Sequence, residues 1–88
     1  MLDATKVGKI LQECRESRGL SQEIVSGLAG IGRTHLSALE RGRRCPTLDT
    51  FLSVVKAIGA DPAEVIAMIE VEAHKSNDRL EGDTQGDA

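Results

Sequence analysis

Eighty-eight residues suffice for one domain, and a 40% hydrophobic content with a single aromatic residue, Phe51, requires a core of Leu, Ile, Val and Ala. The net charge of −3 is unevenly spread: residues 1–60 carry nine Lys/Arg and six Asp/Glu, whereas residues 61–88 carry two and eight. Cys14 and Cys45 have no CxxC partner, which excludes a zinc-ribbon arrangement and leaves free thiols. No apolar run reaches the roughly 18–20 residues of a membrane span and no signal peptide is visible, so a cytoplasmic protein with no membrane or metal partner and no cofactor is expected.

The elements follow in chain order. Val7, Ile10, Leu11 and Cys14 recur at helical spacing and predict a first helix from about Ala4 to Arg18, capped by Asp3 or Thr5 and stopped at Gly19. Cys14 lies on its apolar side and reads as a small core residue. Ser21 caps a short second helix, Gln22 to Ala29, in which Gly27 costs about 1 kcal/mol relative to alanine. Gly30-Ile31-Gly32 forms a tight bend with an apolar pin. A third helix then covers GRTHLSALERGR, Gly32 to Arg43, closed by Gly42. Arg43-Arg44-Cys45-Pro46 is an extended basic loop, because a residue before proline is pushed out of the helical region. Thr47 caps a fourth helix to Ile58, whose apolar face is Leu48, Phe51, Leu52, Val55 and Ile58. Asp61-Pro62 opens a fifth helix to about Lys75, with Val65, Ile66, Ile69 and Ala73 as its docking stripe. Residues 1–75 are thus a folded domain, and residues 76–88 an acidic, glycine-bearing tail read as disordered. The strand-type alternation of Val, Thr and aromatics is absent, so the fold class is all-α.

The third helix carries the functional signal. At 100° per residue, Leu36 and Leu39 lie about 60° apart and form an apolar stripe. Thr34, Ser37, Ala38 and Arg41 occupy the opposite side, with Arg33 at its flank. Two short helices joined by a glycine bend form a helix-turn-helix unit, in which the second helix enters the DNA major groove. Arg33 can bond a guanine bidentately, and Thr34 can meet a thymine methyl or a phosphate. Arg33, Thr34, Ser37 and Ala38 are therefore the candidate base-reading residues. Gln22, His35, Arg41, Arg43 and Arg44 are the candidate phosphate contacts, which add affinity and salt dependence without sequence information. His35, on the flank, is either such a contact or a packing edge.

From Arg15 to Gly59 the chain resembles the phage-repressor (Cro-like, XRE) helix-turn-helix family. The matching residues are Arg15, GLSQ at Gly19–Gln22, Ala29-Gly30, the leucine pair, Glu40-Arg41-Gly42, and Pro46 before a leucine-bearing helix. The resemblance implies a five-helix lambda-repressor-like domain, operator binding as a homodimer, and a structural ion pair between Arg15 and Glu40. As a small stand-alone regulator the chain resembles restriction–modification controller proteins. Departures are equally specific. Val25-Ser26 replaces Leu-Ala, Ile24 and Leu28 stand where charged residues are usual, and Gly32 replaces a Ser/Thr cap. Ala38 replaces a position that often reads a base and offers only a methyl group.

Met68 and Val71 lie off the docking stripe of the fifth helix, and with Phe51 or Val54 they form the expected dimer surface. The leading expectation is a dimeric transcription regulator on a palindromic operator, a repressor or autoregulator. The alternative is an antitoxin-type protein that neutralises a partner toxin and binds DNA secondarily, to which the Ile24/Leu28 pair and the acidic tail point. No nucleophile–base pair or phosphate-binding glycine loop is spaced for catalysis, so an enzyme is not expected.

Overall fold

Four side chains start four of the helices in the computed structural model, which describes residues 3–73. Asp3 accepts a 2.8 Å bond from the Thr5 N–H and opens α1, Ala4–Ser17. Ser21 Oγ accepts from the Ile24 N–H at 3.1 Å and opens α2, Gln22–Ala29. Thr47 accepts from the Thr50 N–H at 3.2 Å before α4, Leu48–Ile58. Asp61 accepts from the Ala63 N–H at 2.9 Å at the start of α5, residues 62–73. Only α3, Arg33–Glu40, begins without a side-chain cap, because its N-cap is Gly32. Five helices and no strand make up the described residues, so the chain is all-α as expected. The acidic tail and the last residues expected in α5 lie outside the described residues.

The expected end of α3 needs correction. The periodicity of its side chains continues through Arg41 and the helix is expected to reach Arg43, but it stops at Glu40 with Arg41 as its C-cap. Gly42 adopts φ 75°, and its N–H donates to the Leu39 carbonyl while the Arg43 N–H donates to that of Ala38, at 3.1 and 3.0 Å. This closure satisfies the last carbonyls and turns the chain away. Arg41 is thus a terminal residue, and Arg43 lies outside the helix.

The core is aliphatic. Leu11, Val25, Leu36, Val54 and Val55 are fully enclosed, with Val7, Ile10, Phe51, Ile58, Val65 and Ile69 around them. Cys14 packs against this cluster, and burial pushes its thiol pKa up, with Glu13 adding to the effect and Arg18 opposing it. Phe51, Val54, Val55 and Ile58 share one arc of α4, so two residues expected at a dimer surface belong to the core instead. Val54 has no exposed surface, and Phe51 keeps only 7%. The reverse correction applies to Leu48 and Ile66, expected to dock, which are exposed. Leu48 is the first residue of α4 and lies at the lip of an apolar groove floored by Phe51 and Ile69. Met68 and Val71 are exposed.

The backbone of α1 meets the end of α3 at Gly8. A Cβ placed there would overlap the Leu39 carbonyl oxygen and lie 2.8 Å from that of Glu40. Both are backbone atoms of a packed helix and cannot move aside cheaply. Gly27, by contrast, sits within α2 with nothing within 4 Å of its added Cβ. Gly8→Ala should therefore lose about 3 kcal/mol, the upper end of ordinary overpacking, whereas Gly27→Ala should gain up to about 1 kcal/mol. Urea denaturation of the two variants checks the opposite signs.

Candidate nucleic-acid interface

The bend between α2 and α3 is three residues long. Gly30 takes φ 73°, which closes α2, and the Ile31 N–H donates to the Ser26 carbonyl at 3.0 Å. The Ile31 side chain packs against the core. From there α3 rests on Leu36 and Leu39, which are 0% and 1% exposed. Its opposite side leaves Arg33, Thr34 and Arg41 exposed and Ser37 and Ala38 half-buried.

A buried ion pair fixes the far end of this helix. Arg15 of α1 donates through Nε to Glu40 Oε2 at 2.7 Å and through Nη2 to Glu40 Oε1 at 3.0 Å. Its Nη1 donates to the Leu20 carbonyl at 2.7 Å, so the same guanidinium also holds the turn before α2. The hydrogen bond to Glu40 raises the Arg15 pKa, burial opposes that shift, and the charges of Glu40 and Glu16 add to it. The cation therefore persists at any pH at which the fold is studied. This arrangement matches the structural pairing expected of Arg15 and Glu40.

Gln22 has a task that sequence reading did not assign. Its Nε2 donates to Glu40 Oε1 at 2.9 Å, which ties the first residue of α2 to the last of α3. The side chain expected to meet a phosphate is thus partly committed within the protein. One amide hydrogen remains beyond this bond.

A polar hollow of about 500 Å³ runs along the outer flank of α3, lined by Gln12, Gln22, Arg33, Thr34, Ser37, Glu40 and Arg41. It brings together three of the expected base-reading residues and two of the expected phosphate contacts. Ala38 and His35 are not among its lining residues and are half-buried. Arg43 and Arg44 are exposed in the loop that follows. Gln12 was missed, although it stands three residues before Arg15 on α1 and so shares the side that faces Glu40. Among the described residues, no group of three His, Cys, Asp or Glu side chains is placed to hold a metal ion. None of the described helices is long and apolar enough to cross a membrane.

Two short helices set at a glycine bend, the second exposing an uncapped polar and basic start, define a helix-turn-helix DNA-binding domain. Residues 11–65 match the helix-turn-helix family of the XRE type, and the chain belongs to that family. It is 38% identical over 60 residues to the uncharacterised HTH-type transcriptional regulator y4dJ of Sinorhizobium fredii, a match covering 68% of this chain and 78% of that protein. It is 32% identical to the ImmF control region 10 kDa protein of Bacillus phage phi105, over 82% of this chain and 79% of that one. Among solved structures, the restriction-modification controller protein C.AhdI from Aeromonas hydrophila superimposes with a TM-score of 0.68 at 36% identity, covering 72% of this chain and 96% of that one. The protein is a helix-turn-helix transcription regulator, and its family is one of DNA-binding proteins rather than enzymes.

The ion pair is the part of this site with the clearest energetic signature. Glu40→Ala would leave the buried Arg15 charge with only the exposed Glu16 carboxylate, 3.8 Å away, so a loss of about 3 kcal/mol, the lower end for a broken buried pair, is expected. Gln22→Ala removes one neutral donor from a carboxylate that keeps Arg15 and should cost about 1 kcal/mol. Chemical denaturation of both variants checks the ordering.

Proposed function

We propose that the protein binds a palindromic DNA operator as a homodimer and acts as a repressor or autoregulator in the cytoplasm. The observation that carries this reading is the division of α3: Leu36, Leu39 and Glu40 are buried in the domain, while Arg33, Thr34 and Ser37 face a polar hollow open to solvent. In this reading Arg33, Thr34 and Ser37 address base edges, and Ala38 offers a methyl group. Arg41, Arg43, Arg44, His35 and the free N–H of Gln22 hold the phosphates. With only three polar readers, part of the specificity comes from DNA shape and half-site spacing.

The homodimer is supported by apolar surface that a monomer leaves in water. Met68 and Val71 on α5 are 43% and 51% exposed, and Leu48 and Ile66 add to them. A two-fold contact through α5 would bury this surface and could set two α3 helices about 34 Å apart, one turn of DNA. Val54 has no place in that contact. A second reading rests on a different observation. Ile24 and Leu28, one turn apart on α2, are 51% and 70% exposed, an apolar pair that fits an antitoxin-type contact with a partner protein. Co-purification of a second chain from the source cell would favour it.

Two experiments test the leading reading. On a duplex enriched from a random DNA pool, Arg33→Ala should cost about 1–3 kcal/mol and relax one base preference, whereas Arg43→Ala should weaken all sequences alike. Equal effects of both on selected and bulk DNA would contradict this division of roles. Met68→Glu should shift sedimentation toward the monomer and reduce operator affinity. An unchanged sedimentation profile with unchanged affinity would remove α5 from the dimer contact.

A further inference from the structure

The polar hollow beside α3 has one wall to which the reading above gives no role. Gln12 of α1 lines it together with Gln22 and Arg41. Its side-chain bond is weak: Nε2 lies 3.4 Å from Oε2 of the exposed Glu16 carboxylate. Giving up a bond of that length at a solvent-exposed position costs little. Glu16 keeps a second neighbour in any case, Arg15 Nη2 at 3.8 Å.

The negative group at the floor of the hollow is already spent. Glu40 Oε2 accepts from Arg15 Nε, and Oε1 accepts from both Arg15 Nη2 and Gln22 Nε2. With its charge offset by Arg15, Glu40 does not set the sign of the hollow. The remaining groups around it are the Arg33 and Arg41 guanidinium groups, the Gln12 amide, the second amide hydrogen of Gln22 and the Thr34 and Ser37 hydroxyls. Every one of them can donate, and two are full cations. A donor-rich hollow beside a helix that enters the major groove suits a tetrahedral oxyanion of the DNA backbone.

We propose that Gln12 is a DNA-contacting residue, which together with Arg41 seats one backbone phosphate of the operator. This inference rests on the DNA-binding reading above. It makes α1 a third helix of the interface, and it gives the phosphate two side-chain walls, one neutral and one charged. A contact of this kind positions α3 in the groove and carries no base information.

Charge changes at Gln12 test it. Gln12→Glu, which sets a carboxylate against the phosphate, should lower affinity about tenfold, equally for the selected duplex and for bulk genomic DNA. Gln12→Lys should raise affinity for both and steepen the dependence of log K on log salt by about 0.9, one additional phosphate neutralised. The same pair of charges at Ala63, exposed at the start of α5, is the control and should have a smaller effect on both readouts. Circular dichroism melts establish that the variants are folded, and if Gln12→Glu is not, Gln12→Lys alone decides through its salt slope. Gln12 variants that bind with wild-type affinity and slope, or that match the Ala63 controls, overturn the proposal while leaving the DNA-binding reading intact if wild-type protein and Arg33→Ala behave as expected. A wild-type protein that binds neither DNA overturns both.

Discussion

One buried guanidinium holds the helix-turn-helix end of this domain together. Arg15 reaches from α1 to the carboxylate that ends α3 and to the carbonyl that precedes α2. Gln22 then closes the circuit from the start of α2 to the same carboxylate. Burying two charges is costly, and well-packed apolar residues could give equal or greater stability. What they would not give is direction. A bidentate guanidinium–carboxylate pair has a fixed plane and fixed distances, so the end of α3 has a defined orientation relative to both other helices. The close approach at Gly8 acts on the same junction from the backbone side.

The rest of the architecture separates two kinds of surface. The α2–α3 unit puts polar and basic groups outward around the hollow, while α4 and α5 put Leu48, Ile66, Met68 and Val71 outward. Between them lies an aliphatic core with one aromatic ring. Because the core takes its residues from α1, α2, α3, α4 and α5, neither surface can be loosened without disturbing the other.

How much of this could be read from the sequence depended on how local the physics was. Caps and glycine closures involve residues two to five positions apart, and the starts at Asp3, Ser21 and Thr47 follow from the chain alone. The end of α3 did not, because side-chain periodicity continues through Arg41 while the backbone closure at Gly42 interrupts it. Burial on α4 and α5 was less legible still. Phe51 and Leu48 are both apolar and one turn apart, and only the position of neighbouring helices decides that one is buried and the other exposed. The Arg15–Glu40 pair was accessible only through family resemblance, since nothing in a separation of 25 residues announces contact. Gln12 and the Gln22 amide bond escaped for the same reason. Their positions beside α3 arise from three helices meeting, which no periodicity encodes.

The missing cap at Gly32 has a kinetic side. The first-turn amides of a helix have no carbonyl acceptor within the helix, and in the other four helices a side chain takes up one of them. In α3 none does, while its far end is secured by the ion pair and the closure at Gly42. The helix is therefore anchored at its rear and held less firmly at its tip. That tip contains Arg33 and Thr34, whose amides lack the helical acceptor that the Leu36 amide finds at Gly32, so their exchange with water is expected to be the faster.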